Sequence, residues 1–249
     1  MTITQDHTVF LIMLGVVTFI VSISKGGLGG MAGTLSAPLM SLVMPVKEVL
    51  GLLLPIMLLA DIFSVASHWK RWDWRLVWML LPGAVIGVTI GTYFLTSVDP
   101  KVLKYCLAAI SILFVIYKLF EKRLVHAAAY QEKKWHGWLA GSTAGLTSAI
   151  AHSGVPPISI FLILHDVTPR VFVATSVLFY AILNWIKVPY FFYIGLFDMK
   201  IFLQTVWFFP IVPFGVFFGR WLVTKVSKTV FDNIILGLLV ITAILLIFF

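Results

Sequence analysis

Charged residues are scarce in this chain. Asp, Glu, Lys and Arg make up 11% of the 249 residues, whereas hydrophobic residues make up 61%. A soluble domain carries about 25% charged residues, so this sequence has too few polar side chains to cover a surface in water. The shortage excludes an ordinary soluble protein. It indicates a chain that lies in a lipid bilayer, where a spanning helix needs about 20 apolar residues.

Cysteine is almost absent, and several functional motifs are missing. Cys106 is the single cysteine, which excludes an internal disulfide and a cysteine-based metal site. There is no Walker A motif, so the energy for any transport would come from gradients rather than from ATP bound by this chain. No basic, aromatic-interleaved surface predicts nucleic-acid binding, and the net charge of +8 reflects basic loops between apolar runs. We expect no cofactor and no metal ion.

A long-period repeat is present. The segment PGAVIGVTIG at 82–91 matches PIVPFGVFFG at 210–219 with a constant offset of 128. The matched pairs are Pro82 with Pro210, Gly87 with Gly215, and Gly91 with Gly219. Glycine and proline are common in membrane helices, so chance matching is one alternative. The gap-free match with apolar flanks favours a secondary transporter built from two related halves.

Ten apolar runs divide into two series of five. The first series covers roughly 8–24, 28–45, 49–67, 75–95 and 102–120, and the second covers roughly 136–151, 153–165, 171–193, 201–222 and 230–249. The second run of each series is short and broken by Gly or Pro. The sequence predicts an all-α integral membrane protein with a first transmembrane repeat at 1–120, a cytoplasmic linker at 121–135, and a second transmembrane repeat at 136–249.

The distribution of basic residues predicts the orientation. Ten spans with the linker in the cytoplasm leave only five of the 18 Lys and Arg residues outside. Those five are Lys47, Lys101, Lys104, Lys187 and Lys200. An eight-span arrangement, in which the short runs enter and return, divides the same residues ten to eight. The positive-inside rule favours ten spans. Five crossings per half make the two repeats inverted relative to each other, with both termini outside.

A glycine-rich segment, KGGLGGMAGTLSAP at 25–38, interrupts the first half. Exposed backbone N–H groups at a helix start, together with the helix dipole, favour an anion. Close helix packing through small residues is the alternative function of the same glycines. The candidate substrate-binding residues of this segment are Lys25, Gly26, Gly27, Gly29, Gly30, Ser36 and Pro38.

The corresponding break in the second half is TSAIAHSGVPP at 147–157. Two prolines typical of a helix start follow a histidine and a serine. Adjacent Ser and His side chains do not easily form a nucleophile–base pair, and no GxSxG motif occurs, so we expect no enzyme. The candidate substrate-binding residues here are His152, Ser153, Gly154 and Pro156.

These two segments and the block VATSVLFYAILNWIKVPYF resemble the TauE/SafE family of membrane transporters, over essentially the whole chain. The resemblance implies export of sulfite, or transport of organosulfonates or other sulfur-containing anions. It assigns the first family motif to Gly26, Gly27, Gly29, Gly30 and Pro38, and the second to Ser153, Gly154 and Pro156. The second motif has fewer glycines here than in many members.

Polar side chains also occur within the apolar runs. Asp61 lies in LLLPIMLLADIFSVAS and Asn184 in VLFYAILNWIKVPYF, at comparable places 123 residues apart. Ionisable groups in spans usually face a cavity or a partner. Asp61 could carry a coupling proton, or form a structural ion pair with Lys25 or another cation. Asn184 is a candidate substrate-binding residue, and Lys187 could either extend to the membrane interface or face the anion.

The sequence as a whole predicts a secondary transporter in the cell inner (cytoplasmic) membrane. We expect it to export a small sulfur-containing anion by alternating access, with the proton as a candidate co-substrate and the homodimer as a candidate assembly. The alternatives are a non-transporting membrane subunit of a larger complex and a transporter of an unrelated anion.

Overall fold

The computed structural model describes residues 7–27, 30–125, 133–197, 199–222, 225 and 228–248. Within these ranges the chain forms helices joined by short turns, and no strand. The predicted all-α class is confirmed for this part of the chain. Gly29 and residues 126–132 of the predicted linker lie outside the described residues.

The helices follow the apolar runs closely. The first half contains α1 (His7–Gly27), a 3-10 turn (Met31–Leu35), α2 (Ser36–Met40), α3 (Val46–Ser67), α4 (Trp74–Ser97) and α5 (Pro100–Val125). The second half contains α6 (Lys134–Ala151), α7 (Val155–Leu164), α8 (Pro169–Tyr193), α9 (Met199–Val206), α10 (Ile211–Leu222) and α11 (Lys228–Phe248).

Five of the described helices, α1, α3, α4, α5 and α8, are long and apolar enough to cross a membrane. Shorter apolar helices occur at Val155–Leu164, Ile211–Leu222 and Asp232–Phe248. The chain is therefore a multi-pass membrane protein, and ten segments remain a prediction. The apolar run predicted at 201–222 forms two helices, α9 and α10, rather than one continuous element.

Local hydrogen bonds and backbone conformation mark two helix boundaries. At the start of α4, the Asp73 carboxylate accepts hydrogen bonds from the backbone N–H groups of Arg75 (2.8 Å) and Leu76 (3.4 Å). At the end of α6, His152 adopts a left-handed conformation (φ 50°), and its backbone N–H donates to the Ser148 carbonyl (3.0 Å). Caps at the start of α4 and at the end of α6 satisfy backbone groups that have no partner within the helix. Helix α6 therefore stops where the sequence predicts a break.

Helices α3 and α8 lie at the centre of the molecule. In the spanning window of α3, 67% of residues are buried, and in that of α8, 61%, compared with 28% for α5. Leu50, Leu53 and Ile56 of α3 are fully buried. Because α3 and α8 pack on each other, side chains on their facing surfaces are held away from lipid and water.

Helices α4 and α6 touch backbone to backbone. A Cβ atom added at Gly87 of α4 would lie 2.0 Å from the Ser142 carbonyl oxygen. One added at Gly141 of α6 would lie 2.0 Å from the Leu80 carbonyl oxygen. Only glycine permits this approach, and such small-residue contacts favour helix association in membranes. The repeated glycines of the first half thus pack against the first helix of the second half.

Helices α1 and α10 make the corresponding contact. A Cβ at Gly219 of α10 would lie 2.3 Å from the Ile23 carbonyl oxygen, and one at Gly26 of α1 would lie 2.0 Å from the Val216 carbonyl oxygen. Gly219 is the residue that the 128-residue offset pairs with Gly91 of α4. The matched glycines of each half therefore contact the first helix of the other half.

Candidate functional site

Five polar side chains from the two halves are buried where α1, α3 and α8 meet the end of α6. Their exposed fractions are 7% for Lys25, 1% for Asp61, 8% for His152, 4% for Asn184 and 0% for Lys187. Buried ionisable groups in a membrane are costly and require partners. The contacts of this cluster therefore decide which charges are neutralised and which are not.

Asp61 is held by two donors. The Lys25 ammonium lies 2.5 Å from Asp61 Oδ1, and the Asn184 amide donates to Asp61 Oδ2 at 2.6 Å. The Ser64 hydroxyl, one turn further along α3, donates to the Lys25 carbonyl at 2.5 Å and fixes the end of α1. The ion pair between Asp61 and Lys25, which the sequence left as one alternative, is present. A coupling role for Asp61 stays a prediction.

Lys187 is held by neutral groups. Its ammonium donates to His152 Nδ1 at 2.8 Å and to the Ser148 hydroxyl at 3.1 Å, with the Ser148 carbonyl at 3.5 Å. The side chain is fully buried, so the alternative in which Lys187 extends to the membrane interface is wrong. Phe191 lies beside it, with 5.9 Å between the ammonium and the ring centroid.

The hydrogen bonds of His152 show which ring nitrogen carries the proton. The Leu50 carbonyl, 3.0 Å from Nε2, can only accept, so Nε2 carries the ring proton. Nδ1 is then the acceptor for the Lys187 ammonium. A second ring proton would point an N–H group at an ammonium 2.8 Å away. In this arrangement His152 is neutral, and Lys187, whose Nζ has three acceptors within 3.5 Å, is the group of the pair that can carry the positive charge.

Tyr180 of α8 connects the two breaks. Gly30 has a left-handed φ of 86°, and a Cβ there would meet the Tyr180 ring at 3.4 Å and Val155, the first residue of α7, at 3.6 Å. The Tyr180 hydroxyl donates to the Gly154 carbonyl at 3.4 Å, and the Lys25 ammonium lies 5.8 Å from the ring centroid. The described parts of both breaks therefore adjoin each other and the charged cluster.

In the described parts of the breaks, the backbone N–H groups are less available than the sequence suggests. The Gly33 N–H donates to the Ser24 hydroxyl at 2.8 Å, and the Ser36 hydroxyl donates to the Gly33 carbonyl at 2.5 Å. In the first turn of α7, Pro156 and Pro157 have no N–H group. The two lysines therefore supply more of the positive charge near the breaks than the helix termini do.

The remaining candidate residues shape the backbone around the cluster. Gly27 ends α1, Pro38 is buried in α2, and Ser153 and Gly154 are buried between α6 and α7. Gly26 faces α10 at close range, as the packing alternative requires.

The sequence argument did not single out Tyr180, Ser64 and Ser148. One signal would have identified Ser64, because the 123-residue offset that pairs Asp61 with Asn184 also pairs Ser64 with Lys187. The described residues contain no group of three or more His, Cys, Asp or Glu side chains placed to hold a metal ion.

The fold and the cluster define a helical multi-pass membrane protein with a charged, buried centre. The family model described as sulfite exporter TauE/SafE matches residues 14–246, and the chain belongs to this family. The predicted resemblance is confirmed. Membership implies an exporter-type transporter for sulfite or a related anion. Comparisons with curated proteins and with solved structures found no match.

Proposed function

We propose that the protein is a secondary transporter that exports a small sulfur-containing anion, sulfite or an organosulfonate, across the cytoplasmic membrane. The observation that carries the proposal is the fully buried ammonium of Lys187, which contacts neutral groups. The charge of Lys25 is balanced by Asp61, whereas that of Lys187 has no paired carboxylate among the described residues. An uncompensated buried charge costs several kcal/mol, and an anion at Lys187 would offset that cost.

The proposed binding residues surround this ammonium. Lys187, His152 and Lys25 supply charge and hydrogen bonds, and Asn184 holds the carboxylate of Asp61 beside them. The candidate residues Gly30, Ser153 and Gly154 line the adjoining breaks. The other described candidates keep the breaks in place: Gly26, Gly27, Ser36, Pro38 and Pro156. Gly29, which lies outside the described residues, stays a candidate binding residue from the sequence. Lys187 is thus added to the site predicted from the sequence.

We also propose that the two halves, 1–120 and 136–249, are inverted repeats that alternate access to this site. Two sets of contacts support the proposal. Asp61 and Asn184, at comparable places in the two halves, touch each other, as residues close to a pseudo-twofold axis would. The contact of α4 with α6 is repeated by that of α10 with α1. Movement of one half against the other around a fixed central site is the usual mechanism of such transporters.

Transport by the purified protein in proteoliposomes tests the proposal. Labelled sulfite and a labelled small alkanesulfonate are supplied with and without a pH gradient, which also tests the proton as a co-substrate. We expect saturable transport that Lys187→Met abolishes, because the variant removes the uncompensated charge. Lys101→Met is the matched control, since Lys101 is exposed at the start of α5.

Unchanged transport by Lys187→Met would contradict the proposed site. Absence of anion transport by the purified wild-type protein, with activity only in the presence of a partner protein, would favour the non-transporting subunit. Transport of other anions, but not of sulfite or alkanesulfonate, would favour an unrelated anion as the substrate.

A further inference from the structure

The charge of the buried centre indicates which anions it accepts. We infer that the site binds monovalent anions directly and accepts a divalent anion only together with a proton on His152. The inference rests on the proposed function and concerns the same site. It names a substrate class by charge, and it assigns the proton to His152 rather than to Asp61.

The central side chains carry a net charge of one. The charges of Lys25 and Asp61 cancel in their ion pair. Asn184 is neutral, and His152 is neutral while it accepts a hydrogen bond from Lys187. Lys187 therefore leaves a single positive charge. A monovalent anion would neutralise it, whereas a divalent anion would leave a negative charge buried without a partner, which is costly.

The ionisable groups of the neighbouring elements do not change this sum. Lys25 and Asp61 form their own ion pair, and Lys187 faces His152 and the Ser148 hydroxyl. Helix α7 has no ionisable side chain. Tyr180 of α8 also lies at the centre, where its neutral hydroxyl donates to the Gly154 carbonyl. The remaining groups of these helices lie at helix ends or outside the centre: Lys47 and Glu48 on α3, Arg75 and Tyr93 on α4, Lys134 and His136 on α6, and Arg170, Tyr190 and Tyr193 on α8.

The polar groups of α5 and α11 contact one another in a second cluster. Lys118 lies 2.5 Å from Glu121 and 3.4 Å from Asp232, and the Tyr117 hydroxyl donates to Glu121 at 3.0 Å. Within the described residues, this second cluster makes no hydrogen bond to Lys187 or His152. The single charge at the centre therefore belongs to the Lys187–His152 pair.

His152 can accept the additional proton without losing a partner. Its Nε2–H already donates to the Leu50 carbonyl. When the Lys187 ammonium turns from Nδ1 to an anion, Nδ1 is free to take a proton from the aqueous side. The new N–H group then points to the anion, so two positive charges face a divalent ion. Sulfite would accordingly bind as hydrogensulfite, or as the divalent ion with one proton on His152.

Competition measured as a function of pH tests the inference. Uptake of labelled methanesulfonate by wild-type proteoliposomes is competed with unlabelled methanesulfonate or sulfate. These ions keep charges of one and two between about pH 5.5 and 8, the range in which histidine changes its charge. We expect the inhibitory concentration of methanesulfonate to stay constant. The inhibitory concentration of sulfate should fall about tenfold for each unit by which the pH is lowered, over the range in which sulfate binding requires proton uptake.

A variant separates His152 from other titrating groups. His152→Gln should abolish the pH dependence of the ratio between the inhibitory concentrations of sulfate and methanesulfonate, whatever the variant's absolute rate of transport. His136→Gln, at the other end of α6, is the matched control and should retain it. Thermal stabilisation of the detergent-solubilised protein by each anion gives the same ratio without a transport assay.

Equal competition by sulfate and methanesulfonate at about pH 8, or a ratio independent of pH in the wild-type protein, would overturn the inference while leaving the proposed transporter intact. A pH-dependent ratio that persists in His152→Gln would overturn the assignment to His152. Failure of the wild-type protein to bind or transport any of these anions would instead contradict the proposed function itself.

Discussion

At the scale of single residues, Asp61 has two competing roles, a structural ion pair and proton coupling, which experiments must distinguish. Both of its oxygens are occupied, by Lys25 and by Asn184. A carboxylate that carries a proton through the membrane must release these partners during the cycle. The ion pair therefore favours a structural role, and the coupling role remains the competing prediction.

Asp61→Asn should destabilise the protein, because it leaves the Lys25 ammonium buried without its counter-charge. Breaking a buried ion pair costs about 3–5 kcal/mol. Thermal unfolding in detergent measures the loss, and the double variant Lys25→Met/Asp61→Asn should recover most of it. A stable Asp61→Asn protein that no longer responds to a pH gradient would support the coupling role. A stable protein still driven by the gradient would exclude both roles.

Gly30→Ala tests the backbone of the first break. The left-handed φ of 86° at Gly30 costs a residue with a Cβ about 1–2 kcal/mol, and we expect a loss of stability of that size. Gly33→Ala is the matched control, because its Cβ would make an ordinary 3.5 Å contact with the Ser24 hydroxyl. Equal unfolding temperatures for the two variants would show that the conformation of Gly30 is not required.

At the scale of helices, two glycines inside apolar helices have opposite environments. Gly87→Ala should destabilise the protein by about 1–3 kcal/mol through overpacking, because its Cβ would meet the Ser142 carbonyl at 2.0 Å. Gly237→Ala should be neutral or stabilise α11 by up to about 1 kcal/mol, since nothing lies within 4 Å of its Cβ. Chemical unfolding in mixed micelles measures both, and a destabilised Gly237→Ala with an unaffected Gly87→Ala would contradict the packing of α4 on α6.

Helix positions were more predictable from the sequence than the contacts between helices. The apolar runs and their lengths identify α3, α4, α5 and α8 to within a few residues, because a span must satisfy its own backbone in lipid. The split of 201–222 into α9 and α10 was missed, although Pro210 lies between the two helices. Proline is tolerated inside other helices here, as Pro55 is in α3, so its presence alone does not predict a boundary.

The partners of buried side chains were predictable only in part. The sequence places Lys25, Asp61 and Asn184 in apolar segments, and burial forces such groups to find partners. Which partner each finds depends on how α1, α3 and α8 rotate about their axes. The contact of Lys187 with His152 was missed for that reason, because the charge pattern alone also permits Lys187 to reach the membrane interface.

At the scale of the whole molecule, the prediction of ten crossings places the linker in the cytoplasm and both termini outside. On a Cys106→Ala background, Tyr130→Cys and Lys225→Cys should react with a membrane-impermeant thiol reagent only when the reagent has access to the cytoplasmic face. Lys101→Cys should react in intact cells. The eight-span arrangement places Lys225 outside, so the labelling of that position discriminates between the two topologies. Labelling of Tyr130→Cys from outside alone would contradict both.

The contact between Asp61 and Asn184 bears on the ancestry of the proposed repeats. Consider an antiparallel homodimer of one half-length chain. The position of the contact between Asp61 and Asn184 would then hold two copies of the same side chain, 2.6 Å apart. Two ionised aspartates would repel each other there, and two asparagines would leave Lys25 without its counter-ion. Fusion of duplicated genes allows the two positions to differ, so that one contributes the charge and the other the amide. A version of this chain separated at the linker should therefore assemble from its two unlike halves and not from two copies of the first.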